Sequence, residues 1–347
     1  MAASLEILGG QGVQACALLE RLQRDGYTVR FLPVNPPFPA PLRWLRRVRY
    51  LRTFLNQLLY LPSLFALRRT DVVHVFSAAY WSFLLAPAPA LLAARLFGKR
   101  VVLHYHSGEA EDHLGRWGLR VHPWLRLAHE IVVPSRYLKE VFARHGHRVK
   151  VVPNVVDVTR FVYRERRSLR PRLLSMRNLE RPYRVETVIE AFALLKPSYP
   201  DATLAIAGYG SDEPRLRARV SELGLDGVRF LGRVEPDAVP RLYADADIFL
   251  NAAIVDNQPV SLLEAFAAGV PVVTTGTGDI AAMACGGEAG LLVPADDPAA
   301  MARAVTSLLE QPSRARRIAR RAKGELRRYT WSRLSAEWAA VYRGDSA

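Results

Sequence analysis

Two carboxylates stand eight positions apart in the run DNQPVSLLEAFAAGVPVV, Asp256 and Glu264. The apolar run DIFLNAA precedes them and reads as a strand. SLLEAFAAG follows as a helix that Gly269 closes. Pro259 suits the first turn of that helix, and Asn257 or Gln258 can flank it as a cap. Asn257, Gln258, Pro259, Val260 and Ser261 therefore belong at a helix N-terminus, where free N–H groups and the helix dipole favour an anion. Glu264, about a turn and a half further on, can accept two hydrogen bonds from a diol such as a ribose. Asp256, in the loop before, can accept from the hydroxyls of a second sugar. Spacing alone equally describes a solvated Asp and a Glu on a helix flank.

Other strand ends point to related chemistry. GGQGVQ contains Gly10 and Gly12 and reads as a glycine turn between a strand and a helix, suited to close approach of backbone to phosphate. It is not a GxGxxG dinucleotide fingerprint, because Ala15 occupies the third glycine position and no suitable acid follows the next strand. AGYGSDE supplies a second such turn with Gly208 and Gly210. SMRNLERPYR supplies Arg177, Arg181 and Arg184, planar forks that match phosphate, or simply a solvated face. HYHSGEAEDH ends a strand with His104 and His106. No third ligand has metal-site spacing, so a hydrogen-bonding or electrostatic role for one histidine fits better than a metal.

The elements that must hold these residues are legible. DVVHVFS, KRVVLHYHS, EIVVPS and KVVPN are short β-branched runs separated by helical stretches, as are LEILGG and YTVRFLPV before them. The pattern repeats with PRLLSMRN, ATLAIAGYG, VRFLGRV, DIFLNAA and VPVVTT. Strands alternating with helices imply βαβ units and parallel sheets. The expected fold class is α/β with two Rossmann-like domains facing a central cleft, where open α/β sheets bind ligands. VDVTRFVYRERRSLRP reads as the linker. The expected domains are residues 1–155, residues 156–330 and a terminal helix over 331–347.

Composition narrows the partners. The chain has 347 residues, 48 Lys and Arg against 33 Asp and Glu, and a net charge of +15. That balance implies an anionic partner: nucleic acid, membrane headgroups or phosphorylated ligands. No nucleic-acid motif is present, so no nucleic-acid partner is expected. The two cysteines, Cys16 and Cys285, form no CxxC pattern and fit a reducing, cytoplasmic setting. No signal peptide or membrane-spanning run is read. In the stretch PLRWLRRVRYLRTFLNQLLYLPSLFALRR, Trp44, Leu45, Val48, Leu51, Leu55, Leu58 and Leu59 recur at helical spacing. Arg43, Arg46, Arg47, Arg49 and Arg52 lie between them, and no acid occurs between Asp25 and Asp71. Such a helix can lie on an anionic membrane surface, or pack its apolar face on the core.

Taken together, these runs resemble the retaining glycosyltransferases of the GT-B fold, family GT4. The resemblance covers nearly the whole chain and is strongest from Val151 to Pro294. VVPNVVDVTRF looks like the interdomain signature, DNQPVSLLEAFAAGVPVV like the E-x7-E motif with Asp256 as its first acid, and YTWSRLSAEWAAVYR like the helix that crosses back to the N-terminal domain. The resemblance implies a sugar-nucleotide donor, UDP-, GDP- or similar, and a sugar or lipid-linked acceptor. Glu264 would hold the ribose. Asp256 and the backbone from Asn257 to Val260 would hold the donor sugar and diphosphate. Gly208, Gly210, Arg233 and Val234 would line the base, with Arg177 and Arg181 near the phosphates. His106 would contact the donor sugar, and Gly10 and Gly12 would approach the phosphates. His106, Asp256 and Glu264 would be the catalytic set, with no cofactor and no metal. The implied activity is a hexosyltransferase acting at or near the inner face of a membrane. The alternative is a non-catalytic relative that binds a sugar nucleotide or scaffolds a partner. Three departures from the family pattern stand out: Asp256 for Glu, Pro259 for a common glycine, and Tyr183 where a phosphate-binding lysine is usual.

Overall fold

The computed structural model describes residues 1–2, 10–39, 44, 48–77 and 79–345. The chain forms two compact units, one of Met1–Val155 with Leu334–Ala347 and one of Val156–Arg333. In the first, strands β1 (Val72–Ser77), β2 (Arg100–Tyr105), β3 (Glu130–Val133) and β4 (Lys150–Val151) form a parallel sheet in the order β1-β2-β3-β4. In the second, β5 (Arg172–Met176), β6 (Thr203–Ala207), β7 (Val228–Gly232), β8 (Ile248–Asn251), β9 (Val272–Thr275) and β10 (Leu291–Val293) form a parallel sheet in the order β10-β9-β8-β5-β6-β7. The alternation of strands and helices dictates this: a parallel neighbour can be reached only through a crossover, and the crossover helices cover the faces. Strands β2 and β8 are accordingly almost wholly buried.

The strand expected at YTVRFLPV needs correction. LEILGG lies largely outside the described residues. YTVRFLPV is not a strand: it makes one isolated parallel bridge, Ala2 to Pro33, and the Val34 N–H donates to the Ala2 carbonyl. Pro33 has no N–H to give a ladder. YWSFLLAPAPALLAARLFG is two helices, Tyr80–Leu85 and Pro87–Leu96, broken where Pro87 starts the second. The basic C-terminal run is also two helices, Pro312–Glu325 and Trp331–Arg343, separated by a 3-10 turn. The strand β10, in LLVP, carried too short an apolar run to be read from sequence.

The segment read as a linker is built into the second unit. Phe161 and Arg166 are buried. The Arg166 guanidinium donates to the carbonyls of Tyr243 and Ala246, at the end of helix Val239–Asp245. It also donates to those of Ala268 and Gly269, at the end of helix Val260–Ala268. Asp247 lies 3.3 Å from its Nε. One cation thus satisfies the open carbonyls of two helix C-termini and meets their negative dipole ends.

Candidate functional site

In the second unit, β8 runs into the loop that carries Asp256, and helix Val260–Ala268 follows. Pro259 is the residue before the helix, with extended backbone, rather than part of the first turn, and no side chain caps this helix. Asn257 and Gln258 are buried, and neither side chain caps the helix. Ser261 is buried as well, and its Oγ has no hydrogen-bond partner. The Leu262 N–H donates to the Pro259 carbonyl, and no side chain caps the turn; its N-terminus, beside the unpartnered Ser261 hydroxyl, is an arrangement able to receive an anion. Gly278 closes the floor: it has φ +60°, and a Cβ there would stand 2.3 Å from the Asp256 carbonyl oxygen. The loop after β9 therefore packs directly on the Asp256 backbone, and the Asp279 N–H donates to the Asn257 carbonyl.

Asp256 is held in place. One carboxylate oxygen accepts from the Asn257 N–H at 2.8 Å, and the other meets Arg177 Nη2 at 2.5 Å. Both partners of this ion pair are nearly buried, with side-chain exposures of 11% and 12%. The Arg177 guanidinium also lies over the Tyr183 ring, 4.3 Å from its centroid, and its Nε is buried without a partner. The aromatic residue at the lysine position thus stacks on the arginine that remains.

Glu264 is half-buried on the same helix. The Tyr243 hydroxyl lies 3.0 Å from Glu264 Oε2 and 2.9 Å from the Ser261 carbonyl oxygen. Burial raises the Glu264 carboxyl to about 7, while the Tyr243 hydrogen bond and the Arg160 charge act to lower it. Arg160 donates to the Pro236 carbonyl and approaches Asp237. Sequence reasoning misses both Tyr243 and Arg160: they lie 21 and 104 positions from Glu264, on helix Val239–Asp245 and the 3-10 turn Val158–Arg160, and no local pattern links them to it.

Gly208 and Gly210 do not open onto free space. A Cβ on Gly208 would stand 1.8 Å from the Arg177 carbonyl oxygen, and one on Gly210 would stand 2.2 Å from that of Leu179. Gly208 also has φ +140°. Both glycines are required because the segment from Arg177 to Glu180 crosses them, with Leu179 N–H donating to the Tyr209 carbonyl. Arg181 is exposed on the 3-10 turn Arg181–Tyr183, and Arg184 pairs with Asp296 at 3.0 Å. Arg233 is exposed and approaches Glu235, and Val234 beside it is half-buried.

In the first unit, His106 follows β2. Its ring stacks on Phe76 at 5.4 Å and lies 4.1 Å from the ring of His104. His104 in turn meets His74, whose Nδ1 lies 2.9 Å from the Tyr342 hydroxyl. Burial pushes His106 down to about 3 and its Nε2 has no partner, so it is a neutral ring with an unused polar atom. Gly10 and Gly12 lie in the first turn of helix Gly10–Arg24 rather than in a turn before it. The side chains of that turn tie it down: Gln11 donates to the Ser77 carbonyl at the end of β1, and Gln14 exchanges two hydrogen bonds with the Val155 backbone. Among the described residues, no group of three His, Cys, Asp or Glu could hold a metal ion.

Of the basic stretch, Arg43, Arg46 and Arg47 lie outside the described residues. Trp44 and Arg52 are exposed, and Arg49 opens helix Arg49–Ser63. Tyr60 and Leu64 face the core, whereas Tyr50, Phe54, Leu58, Leu61 and Phe65 form an exposed stripe. Of the apolar positions read in the sequence, Trp44, Val48, Leu51 and Leu58 are exposed, Leu55 and Leu59 are partly covered, and Leu45 lies outside the described residues. No helix among the described residues is long and apolar enough to cross a membrane.

Residues 8–160 match the family described as Glycosyltransferase Family 4, and residues 163–325 match Glycosyl transferases group 1. Glycogen synthase of Mycobacterium tuberculosis (strain ATCC 25618 / H37Rv) is 30% identical over 291 residues, spanning 79% of this chain and 69% of the relative. Phosphatidyl-myo-inositol mannosyltransferase of Mycobacterium leprae is 26% identical over 357 residues, spanning 98% of this chain and 94% of the relative. Among solved structures, Thermosynechococcus elongatus sucrose-phosphate synthase (tll1590) superposes with a TM-score of 0.76 at 18% identity, covering 97% of this chain and 93% of the other. Anabaena Alr3699/HepE, solved in complex with UDP-glucose, gives 0.73 at 18% identity over 94% of this chain and 89% of the other. The two α/β units with their parallel sheets, and the family matches that together span nearly the whole chain, place it among the group 1 glycosyltransferases of the GT-B fold.

Proposed function

We propose that this chain moves a hexose from a nucleotide-sugar donor to a lipid-linked, polysaccharide or small-molecule acceptor, keeping the anomeric configuration. The observation that carries the reading is the helix Val260–Ala268. Its uncapped N-terminus, with Asp256 and Arg177 before it and Glu264 inside it, combines an anion site with two hydroxyl acceptors. Glu264 takes the ribose, Asp256 the donor sugar, and the first-turn N–H groups with Arg177 the diphosphate. Arg181, Arg233, Val234, Gly10 and Gly12 are assigned to the same ligand, and His106 to the donor sugar. His106 is neutral, so it acts by hydrogen bonding from a group that needs no proton removed. Positive charge for the leaving diphosphate comes from Arg177 and the helix terminus, so the reading requires no metal and no cofactor. Relatives named as mannosyl- and glycogen-forming enzymes, and structural neighbours solved with UDP and UDP-glucose, agree with this donor class.

The acceptor side of the reading is a peripheral position on the cytoplasmic face of a membrane. The exposed stripe Tyr50, Phe54, Leu58, Leu61 and Phe65 lies beside arginines in a stretch without acids, which suits insertion at an anionic lipid surface.

A thermal-shift screen against UDP, GDP and ADP, followed by donor hydrolysis, tests the donor site. One nucleotide should stabilise the protein, and Glu264→Ala should abolish that stabilisation; a Glu264→Ala variant that binds normally would sink the assignment. His106→Ala should slow transfer more than it weakens donor binding. A second reading, a relative that binds a sugar nucleotide without turnover, is favoured by the Asp256–Arg177 pair, which occupies an arginine assigned to the phosphates and holds it nearly buried. Binding without turnover against all candidate acceptors would select it.

A further inference from the structure

The Tyr243 hydroxyl has one hydrogen and two acceptors, the Ser261 carbonyl and Glu264 Oε2. The side chain is fully buried, with its ring against Phe161 at 5.8 Å and Phe249 at 5.7 Å, so it cannot turn away. Its own helix, Val239–Asp245, is fixed at its C-terminal end by Arg166, which donates to the Tyr243 carbonyl itself and also fixes the helix of Glu264. The hydroxyl is therefore a rigid fixture relative to Glu264. We propose that Tyr243 is a positioning residue for Glu264, anchoring Oε2 so that Oε1 is left to the ligand.

The proton can follow the charge. When Glu264 is a neutral acid, the tyrosine hydrogen serves the Ser261 carbonyl and the phenolic oxygen can accept from the acid. When Glu264 is ionised, the hydrogen turns to Oε2, and a charge-assisted bond replaces a neutral one. Without the hydroxyl, only burial and Arg160 act on the carboxyl, and burial is the larger effect. The other charges nearby are already engaged. Arg160 meets Pro236 and Asp237, Arg177 meets Asp256, and Arg241 lies 3.8 Å from Asp245 on the exposed side of the tyrosine's helix. None of them replaces the tyrosine.

The part of this inference that concerns the ligand rests on the donor-site reading above, and the experiment separates the two. Equilibrium unfolding is followed from pH 4 to 9 for wild type, Tyr243→Phe, Glu264→Gln and the double variant. Subtracting each Glu264→Gln curve isolates the titration of Glu264 with and without the hydroxyl. The midpoint should move up by about half a unit or more in the Tyr243→Phe pair; an unchanged or lowered midpoint overturns the proposal. The second measurement is the affinity for UDP, GDP and ADP at pH 7 and pH 9. Tyr243→Phe should weaken binding by about twofold or more at pH 7 and by clearly less at pH 9, where Glu264 is ionised in both proteins. Equal loss at both pH values marks a merely structural lesion and also overturns it. If wild type binds none of the three nucleotides, the donor-site reading fails, while the unfolding cycle still decides the role of Tyr243.

Discussion

Glu264 titrates near neutrality because burial penalises its charged form more than Tyr243 and Arg160 favour it. The sign of the consequence follows directly. A carboxyl raised to about 7 in the folded chain binds its proton more tightly there than in the unfolded chain. Its contribution to stability is complete below the ordinary carboxyl range and is lost as pH rises through about 7. Glu264→Gln should therefore stabilise the protein above pH 8 by up to about 3 kcal/mol, measured by denaturant unfolding, while abolishing nucleotide binding. If the carboxylate is the form that receives ribose hydroxyls, donor affinity should weaken as pH falls below about 7, and binding should release a proton. His106 gives the opposite expectation. Burial holds it at about 3, so it stays neutral across the working range, and transfer should show no imidazole limb between pH 5 and 8.

At the scale of elements, the site depends on a loop-on-loop contact. Gly208 and Gly210 carry the crossing of the Arg177–Glu180 segment over the end of β6. Gly208→Ala would set a Cβ 1.8 Å from the Arg177 carbonyl at a positive φ. The backbone of Arg177 must then move, and with it the guanidinium that meets Asp256. We expect a loss of about 2 kcal/mol or more in stability and weaker nucleotide binding, checked by urea unfolding and thermal shift. Arg166 acts at the same scale: one buried guanidinium fixes the ends of the helices that carry Tyr243 and Glu264.

For the whole molecule, the charge of +15 and the exposed stripe on helix Arg49–Ser63 bear on where the protein works. Phe54→Ser with Leu58→Ser should reduce co-sedimentation with anionic vesicles at least severalfold while leaving nucleotide binding unchanged. Binding by the wild type should fall as salt rises. No association of the wild type with such vesicles at low salt would remove the membrane from the proposal.

The sequence by itself determined the α/β class, the parallel sheets and most strand positions. DVVHVFS, KRVVLHYHS and DIFLNAA have apolar periodicity that fits only buried strands between helices, and the order of those runs leaves crossovers as the only connection. It also set Asp256 and Glu264 around one helix start, since that relation is local in the chain. Tertiary structure decided what the residues face. Gly208 and Gly210, read as open approach to a ligand, meet backbone from another loop. Arg166, read as linker, is buried across two helix ends. Tyr243 reaches Glu264 from 21 positions away, and Tyr183 stacks on Arg177. Such contacts join segments that no local pattern connects. Burial, the force that sets the Glu264 proton, is a property of everything packed around a residue rather than of its neighbours in sequence.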